Sequence, residues 1–167
     1  MQPVDDPEII EDFCRESEDL FDQLEEALEN LEDDPQNSTE LENFGQIIDR
    51  VMGAARSIGA EEIATFCELG KVIGYKSSQT EDLPLINVVI AVLFDAVDLL
   101  RKMVEGLKHG SNDPLKGLNT KAFGTRLKWL SEKFKHIERA SLESEVKKDD
   151  SQMDQGSIDD LMASLGL

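Results

Sequence analysis

With 167 residues, 40% of them apolar, the chain can bury one ordinary core and still carry a tail. Its net charge of −19 repels phosphates, so nucleic acid and anionic membrane surfaces are not expected partners. Aromatic residues make up only 5% of the chain and β-branched runs are short, while Glu, Leu, Asp and Ala are common, which favours helices over sheets.

The opening residues, MQPVDDPEII, have neither a basic region nor a long apolar region, so a secretory signal is not expected. From Pro7 to about Leu31 the pattern is helical: Ile10, Phe13, Leu20, Leu24, Leu28 and Leu31 recur mostly at steps of three and four. The remaining positions are nearly all acidic, and residues 1–40 hold sixteen acids against one base, Arg15. This is either a solvated face or a surface for a basic partner. Asp33–Ser38 breaks the helix with turn formers around Pro35. The second helix then starts from Thr39 or Asn37, each with a Glu three residues on as a capping-box partner. Leu41, Phe44, Ile48, Val51, Ala55 and Ile58 form its core stripe, and Gly59 ends it.

A short third helix spans Ala60 to about Lys76, with Ile63, Phe66, Gly70 and Ile73 facing inward. Asp82 caps a fourth helix, Leu83 to about Leu107, with Pro84 in its first turn. This helix is apolar almost all round, so it must be covered on several sides. Its apolar stretch Asn87–Val97 is short for a bilayer span and contains Asp95. Three neighbours leave part of it bare, and a fifth helix or a second subunit must cover the rest. That fifth helix follows the His109–Asn119 linker and runs to about Ala140. Phe123, Leu127, Leu130, Phe134 and Ile137 form its seam, and its other faces are basic, opposite in sign to the first helix. Ser141–Gly156 has almost no apolar residues and reads as a flexible tether. The chain closes with a short amphipathic helix, capped by Ser157 and Asp160, with Ile158, Leu161, Met162 and Leu165 on one face. A helix this short is marginal alone, so it docks either on its own domain or in another protein's groove.

The second helix has a polar back. Glu42, Gln46, Asp49 and Gly53 are spaced four, three and four apart, so they share one face away from the core stripe. A mid-helix glycine costs about 1 kcal/mol relative to alanine, and Gly53 on an exposed face suggests close approach by another molecule. Cys14 and Cys67 sit inside helical patterns as reduced structural thiols. His109 and His136 have no metal-ligand or catalytic partner at local spacing.

At these residues the chain resembles known families in three places. Residues 8 to about 107 resemble the histidine-phosphotransfer (HPt) domain that opens CheA kinases, through the acidic first helix, the LEDDP turn, the segment from Gly53 to Ile63 and the apolar fourth helix. The family's His-x-x-Lys-Gly motif aligns with Gly53 at its glycine, but Asp49 stands at the histidine position and Met52 at the lysine position. The string from Glu42 to Met52, with Gly45, Gln46, Ile48 and Arg50, resembles the active helix of CheZ phosphatases. There an acidic residue precedes a glutamine by four. The ending Ile158-Asp159-Asp160-Leu161-Met162-Ala163-Ser164-Leu165-Gly166-Leu167 resembles the CheY-binding peptide that closes CheZ chains.

These resemblances imply an all-α protein: an antiparallel four-helix HPt-like bundle with a fifth helix over residues 1–140, a linker at 141–156 and a regulator-binding peptide at 157–167. They imply a phosphatase acting on the aspartyl phosphate of a CheY-like response regulator in chemotaxis. Gln46 would position the attacking water and Glu42 would engage the regulator. Arg50, Asp49 and Gly53 would lie at the interface, with Ile158, Asp159, Asp160, Leu161, Met162 and Leu165 binding from the tail. No cofactor is expected on this chain and no metal, Mg²⁺ belonging to the regulator. The protein is expected to be cytoplasmic and monomeric, with a dimer left open. A pseudo-HPt adaptor that binds a regulator without hydrolysis is the alternative.

Overall fold

The computed structural model describes residues 6–144 and 157–167, with side chains described for 6–140 and 157–167. Most of the expected tether, residues 145–156, lies outside the described residues, as does the start of the acidic lead-in. The elements are α1 (Pro7–Asp33), α2 (Ser38–Ser57), α3 (Glu61–Ser77), α4 (Leu83–Lys108), α5 (Lys121–Ser144) and α6 (Ile158–Leu165), with no strand among the described residues. The protein is all-helical, as its composition requires, and α5 continues to Ser144, into the segment expected to be a linker.

Local chemistry fixes the ends. Asp6 accepts from Glu8 N–H at the start of α1, and Pro7 follows in its first turn. Of the two candidates for the start of α2, Asn37 is the cap: its Oδ1 accepts from Glu40 N–H at 3.1 Å. Asp82 caps α4 by accepting from Leu85 N–H at 3.1 Å. Gly59, at φ 77°, makes the turn from α2 into α3.

The first four helices form a ring in which α1 packs on α2, α2 on α3, α3 on α4 and α4 on α1. The pairs Asp49–Lys71 and Arg56–Glu68 show that α2 and α3 run antiparallel. Helix α4 supplies thirteen buried residues from Leu85 to Leu107. It is long and apolar enough to cross a membrane by length and composition, but it serves here as the core helix. Helices α2 and α3 meet closely because Gly70 has no side chain: a Cβ there would lie 2.9 Å from Ile48 Cδ1. The α2 core is broader than the stripe read from spacing, since Ile47 and Met52 are also buried while Leu41 is half-buried.

Helix α5 covers the flank left open by the ring. Phe123, Leu127, Leu130 and Phe134 are buried, and Phe123 stacks on Phe66 of α3 at 5.6 Å between centroids. The loop leading to α5 is pinned where Leu115 N–H donates to Glu62 Oε1 at 2.9 Å. The bases of α5 do not meet the acids of α1. Arg126 pairs with Asp95 of α4, and Lys135 with Asp159 of α6. The α1 acids are served by Arg101 of α4, which bonds Glu18, Asp22 (2.7 Å) and Glu25 (3.1 Å) and lies 5.6 Å over the Phe21 ring. Burial works against its charge, but the hydrogen bonds it donates to Asp22 and Glu25 and the charges of Glu25 and Glu18 outweigh it and raise its pKa.

Of the two places open to the terminal helix, α6 occupies the one at home, against α3 and α5. Ile158, Leu161 and Met162 are buried there. Ser131 Oγ donates to Asp159 Oδ1 at 2.8 Å and Lys135 holds the other carboxylate oxygen. These two hydrogen bonds, Lys135 first, hold the Asp159 carboxyl below its usual range despite partial burial.

Two outcomes follow. Arg101→Ala leaves three carboxylates clustered on α1 and is expected to destabilise the fold by about 1–3 kcal/mol in chemical denaturation, with Arg101→Lys recovering only part. Because the folded pKa of Asp159 is depressed, its contribution is full above the usual carboxylate range and is lost as pH falls through the depressed value. Methyl NMR of Ile158 and Leu161 is expected to report α6 leaving its site only under acid conditions, and Asp159→Asn to remove that dependence.

Candidate functional site

Helix α2 lies across the ring from α4. It packs on α1 and α3 through Phe44, Ile47, Ile48, Val51, Met52 and Ala55, which leaves its opposite side in solvent. Glu42, Gln46, Asp49, Arg50 and Gly53 are all exposed on that helix. Successive members of the series Glu42, Gln46, Asp49 and Gly53 stand about one turn apart.

Among the described residues, neither Glu42 nor Gln46 has a hydrogen-bonding or ionic partner within the chain, so both are free to meet another molecule. Asp49 is different. Its Oδ1 pairs with Lys71 Nζ of α3 at 2.9 Å, with both side chains about half exposed. Spacing within α2 could not disclose that partner, because it comes from the neighbouring helix. Met52, one turn beyond Ile48, belongs to the core and offers no charge to the surface. The cation paired with Asp49 is therefore supplied by α3.

Two glycines shape the surface around Gln46. A Cβ at Gly45 or at Gly53 would meet nothing within 4 Å, and neither residue has a positive φ. Nothing inside the protein requires glycine at either position, which separates them from Gly70. They leave backbone bare on both sides of the Gln46–Asp49 pair. An incoming surface can approach the helix axis there more closely than any side chain would permit.

The available nucleophiles are few. Cys67 lies fully buried on the inner face of α3, and burial pushes its thiol up to about 12, so it stays protonated. Burial likewise raises Cys14, whose Sγ donates to Val104 O. Neither histidine is on α2: His109 caps the end of α4 and sits 2.8 Å from Glu105, and His136 is exposed on α5. No cluster of His, Cys, Asp and Glu suited to a metal occurs among the described residues. A cleft of about 280 Å³ opens where the α1–α2 and α3–α4 turns meet, but the Ser77 and Ser78 hydroxyls on its wall donate to their own backbone, at Gly74 O and Tyr75 O. What the α2 face offers is a carboxylate, a neutral amide and bare backbone. That set orients water and hydrogen-bonds a partner.

The tail residues named from sequence are not part of this face. Ile158, Asp159, Leu161 and Met162 are engaged with α3 and α5, Leu165 is half-buried, and Asp160 is exposed with its N–H bonded to Ser157 Oγ. Helix α3 packs on both α2 and α6, so the two regions share one supporting helix.

The family model that matches the chain is "Hpt domain", over residues 8–110. These are the four ring helices and the cap of α4. Nothing among curated proteins and nothing among solved structures matches the chain.

Gly53→Ala and Gly45→Ala each place a methyl in open space on a helix. Each is expected to stabilise the fold by about 0.5–1 kcal/mol, read as a higher denaturation midpoint at unchanged slope. Lys71→Ala breaks an exposed pair and is expected to change stability by no more than about 1 kcal/mol.

Proposed function

Because the chain belongs to the Hpt domain family and so to two-component signalling, where these domains meet response regulators, we propose that it is a phosphatase of a CheY-like regulator. The observation that carries this reading is the pair Glu42 and Gln46. They are exposed one turn apart, without partners among the described residues, within the CheZ-like string that ends at Met52. Asp49 and Met52 occupy the positions where the HPt motif needs an imidazole to carry the phosphoryl group and a lysine beside it. The inherited docking face then lacks the nucleophile that relays phosphate.

Hydrolysis of an aspartyl phosphate needs a water held in line with phosphorus. The bond from water oxygen to phosphorus forms and the bond to the aspartyl oxygen breaks. The aspartate leaves as a carboxylate, and the water proton passes to the phosphate product. Gln46 suits the positioning task, since its amide donates and accepts hydrogen bonds without adding charge beside the phosphoryl oxygens. Glu42 pairs with a cation of the regulator, and Mg²⁺ belongs to the regulator's site. The bare backbone at Gly45 and Gly53 lets the regulator's phosphorylated pocket close over α2. Residues 158–165 hold the regulator at roughly millimolar effective concentration. This chemistry takes place in the cytoplasm, with the protein acting as a monomer.

The test is the decay of a phosphorylated CheY-type receiver. Wild type is expected to accelerate it. Gln46→Ala is expected to lose on the order of a hundredfold of that acceleration while still binding, and Glu42→Ala to weaken binding. Gly53→Ala, although more stable, is expected to lose activity. Binding without any acceleration by wild type would leave the adaptor reading in place of the enzyme, and acceleration that survives Gln46→Ala would remove Gln46 from its role.

A further inference from the structure

The docked α6 uses the side chains that a partner would need. Ile158 is 2% exposed, Met162 6% and Leu161 8%, all turned toward α3 and α5. Asp159, one of the two acids expected to meet a basic groove, is already bonded by the buried Ser131 and by Lys135. The helix is finished at both ends, by Ser157 at its start and by Gly166 at φ 77° after its last turn. Leu165 and Leu167 lean on the same core. A regulator cannot take this apolar face while the bundle holds it.

We propose that residues 158–165 have two mutually exclusive receptors: the α3–α5 groove of their own domain, and the regulator whose binding the preceding reading assigns to them. In the free protein the tail is held at home, and a regulator gains it only by displacing it. The inference rests on the phosphatase reading for the identity of the second receptor. The first receptor rests on the contacts above.

The docking is of modest strength by construction. Three buried and two half-buried apolar side chains and one bonded carboxylate are set against the entropy of ordering the end of the chain. A partner can therefore compete, and the apparent affinity is reduced by the fraction of time the tail is docked. Releasing a tail docked about 70–90% of the time tightens binding by about three- to tenfold.

The experiment uses the full chain and a CheY-type receiver domain activated with beryllofluoride and Mg²⁺, with affinity read by titration calorimetry. Lys135→Glu sets a carboxylate against Asp159 and frees the tail. Lys133→Glu makes the same charge change beside Trp129, where Lys133 sits 5.3 Å over the ring. Hydrogen exchange on the free proteins is expected to show residues 158–165 unprotected in Lys135→Glu and protected in wild type and Lys133→Glu. Lys135→Glu is then expected to bind about three- to tenfold more tightly than wild type, with Lys133→Glu unchanged and a chain lacking residues 157–167 weaker than all three. Equal or weaker binding by Lys135→Glu, with the truncated chain still weaker than wild type, would overturn the competition but leave the phosphatase reading standing. Truncated and full chains binding alike would also overturn it. No binding by any of these chains would remove both.

Discussion

Helix α4 gives water only a narrow stripe, Asn87, Ala91, Asp98, Lys102 and Glu105, and its wide apolar remainder constrains everything packed around it. With thirteen buried residues in one helix, it must be enclosed. Helices α1 and α3 take two flanks and α5 contributes to a third. Helix α2 closes the ring across from α4, packed on α1 and α3. The position of the candidate site follows from that. The polar back of α2 faces water because its apolar side is fully committed to enclosing the core.

The same packing sorts the glycines by purpose. Gly70 permits contact with Ile48 and has a role inside the molecule. Gly45 and Gly53 have open space around them and carry only the conformational cost of glycine. On the phosphatase reading, that cost is offset by the closer approach of the regulator to α2. The Asp49–Lys71 pair adds a balanced charge at the middle of the face.

Charge is organised locally in this protein despite its large net value. The acids of α1 converge on Arg101, whose side chain is largely enclosed and backed by Phe21. The bases of α5 are directed to Asp95 on one flank and to Asp159 of the tail on another. Much of α1 still presents unneutralised carboxylate to solvent, consistent with solubility and with exclusion of polyanions. The tail is held by one ion pair, one hydroxyl, three buried apolar side chains and the half-buried Leu165 and Leu167.

The all-helical class, the order of the helices, the caps at Asp82 and Ser157, the turn at Gly59 and the exposed face of α2 were all written in the sequence. Each depends on local rules: periodicity, capping chemistry and the left-handed freedom of glycine. Residues at the margins of the stripes were not legible. Phe21, Ile47 and Met52 are buried outside the stripes read from spacing, and cover by neighbouring helices is not encoded in a single helix's periodicity. Lys71 beside Asp49, Arg101 among the α1 acids and Ser131 beneath Asp159 are pairings between distant segments, and only the packed chain brings them within bonding distance. The terminal helix shows the division most clearly. Its sequence determined that it is amphipathic, capped and in need of a partner. The tertiary structure decided which surface covers it, because the groove is built jointly by α3 and α5 and exists in neither helix alone.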